Sequence, residues 1–219
     1  MTENQARDEI CRVGRSLFER GYVHGSAGNI SLRLADGFLI TPTDACLGFL
    51  DPARLARLDN EGSQLSGDRA SKTIALHTAI YDAARRFDPA TACVIHTHST
   101  NCVALSMKAQ GAELLPALTP YFVMKVGHVP LLPYTRPGSA AAVQAVVQAI
   151  DDAAANGRPL RAVMLARLGP NVWHESPALA MAVLEELEET ARLALLAPDT
   201  PDLSEPQIDE LRQSFGARW

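Results

Sequence analysis

No apolar run in this 219-residue chain is long enough to span a bilayer, and the opening Met-Thr-Glu-Asn-Gln-Ala-Arg-Asp-Glu lacks the regions of a secretory signal. The expectation is a cytoplasmic protein with no membrane partner. Basic clusters are missing too: 20 Lys and Arg against 25 Asp and Glu leave a net charge of −5, which excludes a nucleic-acid partner. An anionic substrate would have to be held by local charge, backbone N–H groups or a metal. The four cysteines, Cys11, Cys46, Cys93 and Cys102, have no C-x-x-C spacing and form no disulfide framework, in keeping with a reducing compartment. Aromatics make up only 5%, so a core drawn from the 47% hydrophobic residues must be filled by Ala, Leu and Val. There is no repeat, linker or low-complexity tract, which predicts one domain over residues 1–219 with a tail or short helix from about 198.

What is present alternates between helical and strand periods. Ile10, Val13, Leu17 and Phe18 predict an amphipathic helix over about 4–20, ended by Gly21. Ile30 to Leu34 alternates as a strand, Asp36-Gly37 turns it, and Phe38-Leu39-Ile40 returns antiparallel. A second turn at Asn60-Glu61-Gly62 lies between Leu58-Asp59 and Gln64-Leu65. Ser71 is placed to cap a helix over about 72–87. Further helices are predicted over about 100–108 and 140–153, and strands over 126–132 and 162–165. Gly169-Pro170 reads as a turn, and Ser176-Pro177 opens a long helix whose Glu185-Glu186 and Glu188-Glu189 pairs read as a solvated face. The class is α/β, with a central sheet covered by helices.

His96-Thr97-His98 follows the apolar run Ala92-Cys93-Val94-Ile95. Strand side chains repeat every second residue, so both imidazoles project from one face, and two fixed rings supply half of a tetrahedral metal shell. Two polar residues where a buried strand surfaces into a loop would produce the same pattern. Cys93 falls in the core, and His24 and His77 read as structural.

In order, Gly25-Ser26-Ala27-Gly28-Asn29-Ile30-Ser31, Ile40-Thr41-Pro42-Thr43, Ser66-Gly67-Asp68, Ser71-Lys72 and His96-Thr97-His98 resemble the class II aldolase/adducin family. Leu47-Gly48-Phe49-Leu50-Asp51-Pro52, Thr119-Pro120-Tyr121, Val123 to Gly127, Arg136-Pro137-Gly138 and Leu184 to Ala191 bring the chain closer to its branch acting on 3-oxo-tetronate 4-phosphates. The resemblance implies a mainly antiparallel class II aldolase fold, a fourfold-symmetric homotetramer, one zinc ion per subunit and a phosphorylated sugar-acid substrate. It implies a substrate-phosphate site at Gly28, Asn29, Thr43, Ser71 and Lys72. Hydroxyl and amide donors, a helix start and one cation suit a phosphate.

Two positions depart from the family. Thr73 stands where relatives carry a Glu that acts as base, and Leu168 stands where they carry the third zinc-binding His. Leu offers no donor atom, and a Thr hydroxyl is a poor ligand. His128, in Val126-Gly127-His128-Val129-Pro130, is the candidate replacement, giving a ligand set of His96, His98 and His128. Loss of carbon dioxide from a β-keto acid needs no base to deprotonate carbon, so Thr73 harms an aldolase more than a decarboxylase. The expected reaction is metal-assisted decarboxylation to dihydroxyacetone phosphate, with Lys72 and Thr73 at the substrate. Tyr121 is the proton donor to C2, from the position of a family tyrosine that reaches across a subunit boundary. Lys125 and Arg136 serve either the substrate carboxylate or solvent. The rival readings are an aldolase or epimerase on a related phosphosugar, and a non-catalytic adducin-like assembly module.

Overall fold

The computed structural model describes residues 1–109 and 111–219. The class is the expected one, a central, mostly antiparallel sheet flanked by helices. Packing divides the chain into two compact units, Met1–His98 with Trp173–Met181, and Ser99–Val172 with Ala182–Trp219.

The first unit opens with helix α1, Glu3–Glu19, whose Thr2 and Gln5 form a reciprocal capping box. Ala6, Ile10, Val13 and Leu17 recur at three- and four-residue steps and are completely buried. Arg7, on the same helix, donates to the carbonyls of Pro52 and Leu55 at 2.8 and 3.0 Å, tying α1 to the loop below it. Five antiparallel strands follow: β1 Asn29–Leu34, β2 Gly37–Ile40, β3 Ala56–Leu58, β4 Gln64–Ser66 and β5 Cys93–His96. Their spatial order is β4-β3-β2-β1-β5. Both predicted turns form, since β1–β2 and β3–β4 pair as hairpins. The inner strands β1, β2 and β5 contribute Ile30, Leu39, Ile40, Val94 and Ile95, all fully buried. Each such side chain contributes roughly 1.5–3 kcal/mol of burial. Helix α2, Ile74–Ala84, starts two residues later than predicted. The Ser71 hydroxyl pairs with Thr73, and residues 71–73 form a turn leading into the helix.

In the second unit, β6 Leu131–Leu132 runs parallel to β7 Ala162–Leu165, which pairs antiparallel with residues 169–172 of β8, Gly169–His174. Two sequence readings need correction here. Residues 126–132 do not form one strand: Phe122–Val126 is a π-helical turn, Gly127 reverses the chain at φ 75°, and only Leu131 and Leu132 join the sheet. The β7–β8 turn lies at Ala166-Arg167-Leu168, with Arg167 at φ 65°, and Gly169-Pro170 is already strand. Helices α3 Thr100–Lys108, α4 Ala140–Ala155, α5 Pro177–Leu196 and α6 Glu205–Phe215 complete the chain. No helix among the described residues is long and apolar enough to cross a membrane.

The α5 glutamates are only in part the solvated face expected: Glu189 is exposed and Glu185 and Glu186 are half-buried, whereas Glu188 is not solvated. Glu188 is buried and accepts from the backbone N–H groups of Asn101 and Cys102, at 2.8 and 3.0 Å, and from the Asn101 amide. Those N–H groups are the unpaired donors of the first turn of α3, which a carboxylate satisfies in both charge and geometry.

Candidate functional site

The matched residues of the first unit gather around the start of β1. Gly28 sits at φ 83°, and a Cβ there would lie 2.9 Å from the His96 carbonyl oxygen and from Val23. Only glycine allows the turn to pass this close to the end of β5. Asn29 lies opposite His96 in the β1–β5 register, is 7% exposed, and keeps its Oδ1 buried without a hydrogen-bond partner. An orphaned amide oxygen of this kind is a ready acceptor for a substrate hydroxyl.

Two further segments are laced to this start. Thr41 exchanges backbone hydrogen bonds with Ile30 and Ser71, and the Thr43 N–H donates to the Arg69 carbonyl. The loop carrying Thr43 is therefore fixed to the loop carrying Ser71, Lys72 and Thr73. Ser71 is 8% exposed and its Oγ lies 2.9 Å from the Thr73 hydroxyl, whereas Lys72 is exposed at the entrance to α2. Hydroxyls, an amide and an exposed ammonium beside a helix start form a polar, anion-accepting edge.

The imidazoles stand at the same edge. His96 ends β5 and is 5% exposed, while His98 lies just past the strand and is half-buried. Their ring centroids are 5.1 Å apart at 67°, so the two rings share a face as the spacing predicted. Burial, and then the neighbouring His24, lower the pKa of His98. Reading His24 as structural missed its setting: it is exposed, its carbonyl closes the glycine turn, and its ring is 6.4 Å from that of His98. No local pattern marks it, because the contact spans more than seventy residues of sequence. His77 does prove structural. It is fully buried, with Nδ1 2.7 Å from the Ser31 hydroxyl, which in turn lies 2.8 Å from the Tyr81 hydroxyl. Burial first, and then the charge of His96, push its pKa down to about 3, so the ring is neutral at physiological pH.

The remaining candidates belong to the second unit. Tyr121 is 58% exposed, with the Lys125 ammonium 5.1 Å over its ring. Leu168 is a half-buried turn residue. His128 stacks on Trp219 at 4.3 Å, and its Nδ1 lies 3.4 Å from Glu113. It lines a cavity of about 580 Å³ with Glu113, Asp152, Asn156 and Arg158.

Residues 8–195 match the family model of the class II aldolase and adducin N-terminal domain. The chain belongs to the class II aldolase family. It is 51% identical to a 3-oxo-tetronate 4-phosphate decarboxylase of Cupriavidus necator, with 100% of this chain and 99% of that protein covered. It is 43% identical, over 96% of both chains, to a protein of the same name from Escherichia coli. Among solved structures it resembles a putative aldolase/epimerase/decarboxylase of Escherichia coli, with a TM-score of 0.84 and 42% identity, covering 96% of this chain and 99% of that one. An L-fuculose 1-phosphate aldolase superposes with a TM-score of 0.81 at 20% identity, over 97% of this chain and 96% of that one, and shares the fold.

The zinc implied by this membership can be tested against the donors present. His96 and His98 offer two imidazoles. Thr73 offers a hydroxyl already paired with Ser71, and Leu168 offers nothing. His128, the expected replacement, belongs to the second unit: its ring stacks on Trp219, its Nδ1 lies 3.4 Å from Glu113 and its Nε2 is buried without a hydrogen-bond partner, and among the described residues no three His, Cys, Asp or Glu side chains are grouped to hold a metal. A stable zinc site needs three protein ligands or more. Among the described residues, His96 and His98 with Thr73 and Leu168 at the other two positions do not complete a resident zinc site.

Proposed function

We propose that this protein decarboxylates a 3-oxo-tetronate 4-phosphate to dihydroxyacetone phosphate and carbon dioxide in sugar-acid breakdown. The observation that carries the reading is full-length similarity, at 51% identity, to a decarboxylase of that name, combined with an intact polar edge at Asn29, Thr43 and Ser71. The substrate phosphate docks on Gly28, Asn29, Thr43, Ser71 and Lys72. Its C3 ketone faces the imidazoles. Cleavage of the C1–C2 bond releases carbon dioxide and leaves the electron pair as a C2–C3 enediolate. Protonation at C2 and re-formation of the C3 carbonyl complete the product.

Tyr121 supplies the proton to C2. Its exposure supports a role outside its own subunit, in a homotetramer where it reaches a neighbour's substrate. Thr73 orients Ser71 through their 2.9 Å contact and is not the base of the reaction, since its hydroxyl cannot take a proton from carbon near neutral pH. The same point weighs against an aldolase or epimerase, which must deprotonate its substrate. The test is incubation with 3-oxo-tetronate 4-phosphate, reading carbon dioxide and dihydroxyacetone phosphate together. Stoichiometric formation of both supports the reading. Exchange of a ketose α-proton into solvent without carbon dioxide release would replace it with an aldolase or epimerase.

A further inference from the structure

The electron sink of this reaction is the oxygen of the C3 ketone. Thr73 and Leu168 stand at the two positions where the resemblance implied a Glu base and a third His ligand, and the His128 ring stacks on Trp219 with its Nδ1 beside Glu113. What the chain does bring together, within its first unit, is a file of three imidazoles. His24 lies 6.4 Å from His98, and His98 lies 5.1 Å from His96, beside the Gly28–Asn29 edge. His24 is exposed and His98 half-buried, whereas His96 is buried. A neutral imidazole N–H can polarise a carbonyl without a metal, and preorganised donors aimed at a developing oxyanion are among the strongest catalytic devices. A β-keto acid asks for no more than this, because the bond that breaks is its own C1–C2 bond.

We propose that His98 and His24 hold the enediolate oxygen by N–H donation, and that turnover by this protein needs no bound divalent cation. As carbon dioxide leaves, the C1–C2 electron pair enters the C2–C3 bond, and the charge on the C3 oxygen is taken up by the two N–H donors. The imidazoles keep their protons. When the pair returns to C2 to take a proton from Tyr121, the carbonyl re-forms and the hydrogen bonds relax. His96 is a positioning residue, holding the His98 ring edge-on at 67°. This inference rests on the decarboxylase reading above.

The test takes the purified full-length protein before and after stripping with a chelator, with its metal content measured by mass spectrometry. The expected result is turnover that survives stripping and changes less than about 2-fold when Zn²⁺, Mn²⁺ or Mg²⁺ is added, against the several kcal/mol a Lewis-acid metal normally supplies. Calorimetric titration of the stripped protein with ZnCl₂ should show no one-to-one site tighter than about 1 μM, far weaker than a three-ligand zinc site. His98→Ala should lower kcat about 100-fold, the cost of one preorganised donor, whereas His98→Gln, which keeps a neutral N–H, should retain more activity. Turnover lost on stripping and restored in proportion to added metal would overturn the inference while leaving the decarboxylase reading intact. So would a tight Zn²⁺ site abolished by His24→Ala, which would make the same three rings a metal centre. Absence of turnover with and without metal would instead overturn the decarboxylase reading, and this inference with it.

Discussion

At the scale of single residues, Gly28 couples the glycine turn to the imidazole strand. Its φ of 83° and the 2.9 Å approach to the His96 carbonyl leave no room for a side chain. Gly28→Ala is expected to cost about 2 kcal/mol or more of stability, from left-handed strain plus the clash, read as a lower urea midpoint. Ser71 differs in kind, since it is a small polar residue touching the proposed phosphate and not a packing element. Ser71→Ala should raise KM about 10-fold with folding unchanged, the loss expected for one hydrogen bond to a charged group. Gly28, Ser71, His96 and His98 were all legible in the sequence because each sits in a short motif. His24 was not, because its only signal is proximity to His98.

At the scale of elements, the contrast is between α1 and α5. The α1 helix obeys its periodicity and its Thr2–Gln5 cap, so its span was readable nearly to the residue. The α5 acidic pairs looked like a solvent-facing stripe, yet Glu188 is a buried cap for the first turn of α3. Charge patterning reports only local composition, and the donors that recruit this carboxylate lie more than eighty residues away. Glu188→Ala should destabilise the protein by about 3 kcal/mol, because it leaves buried N–H groups unpaired. Faster amide exchange at Asn101 and Cys102 would check the assignment, and unchanged exchange there would refute it. The strand expected over 126–132 failed for a related reason: Gly127 and Pro130 break an apolar run that hydropathy alone reads as continuous.

At the scale of the whole molecule, two consequences can be measured. His77 takes up a proton near pH 6.5 when unfolded but only near about 3 when folded. Between those values the unfolded state binds more protons, so stability contributed above pH 6.5 is lost as the pH falls toward 3. Urea midpoints should therefore drop on acidification across this window, and His77→Gln should flatten that slope. The second consequence concerns assembly. If Tyr121 serves a neighbouring subunit, mixing inactive Tyr121→Phe protein with the slow His98→Ala protein should restore part of the activity through hybrid sites. No recovery after subunit exchange would place Tyr121 outside the neighbour's reaction.

The sequence by itself determined the strand and helix alternation, both hairpin turns, the family and the polar edge of the site. Hydrophobic period, turn chemistry and short motifs are properties of neighbouring residues, and they survive without coordinates. Only the tertiary structure decided which distant side chains complete those motifs. It brought His24 to His98, gave Glu188 to α3, and engaged His128 with Trp219 and Glu113. Each of these is a contact between groups far apart along the chain. Its stability comes from burial and from satisfying a donor or a ring face, and neither can be counted until the backbone has brought the partners together.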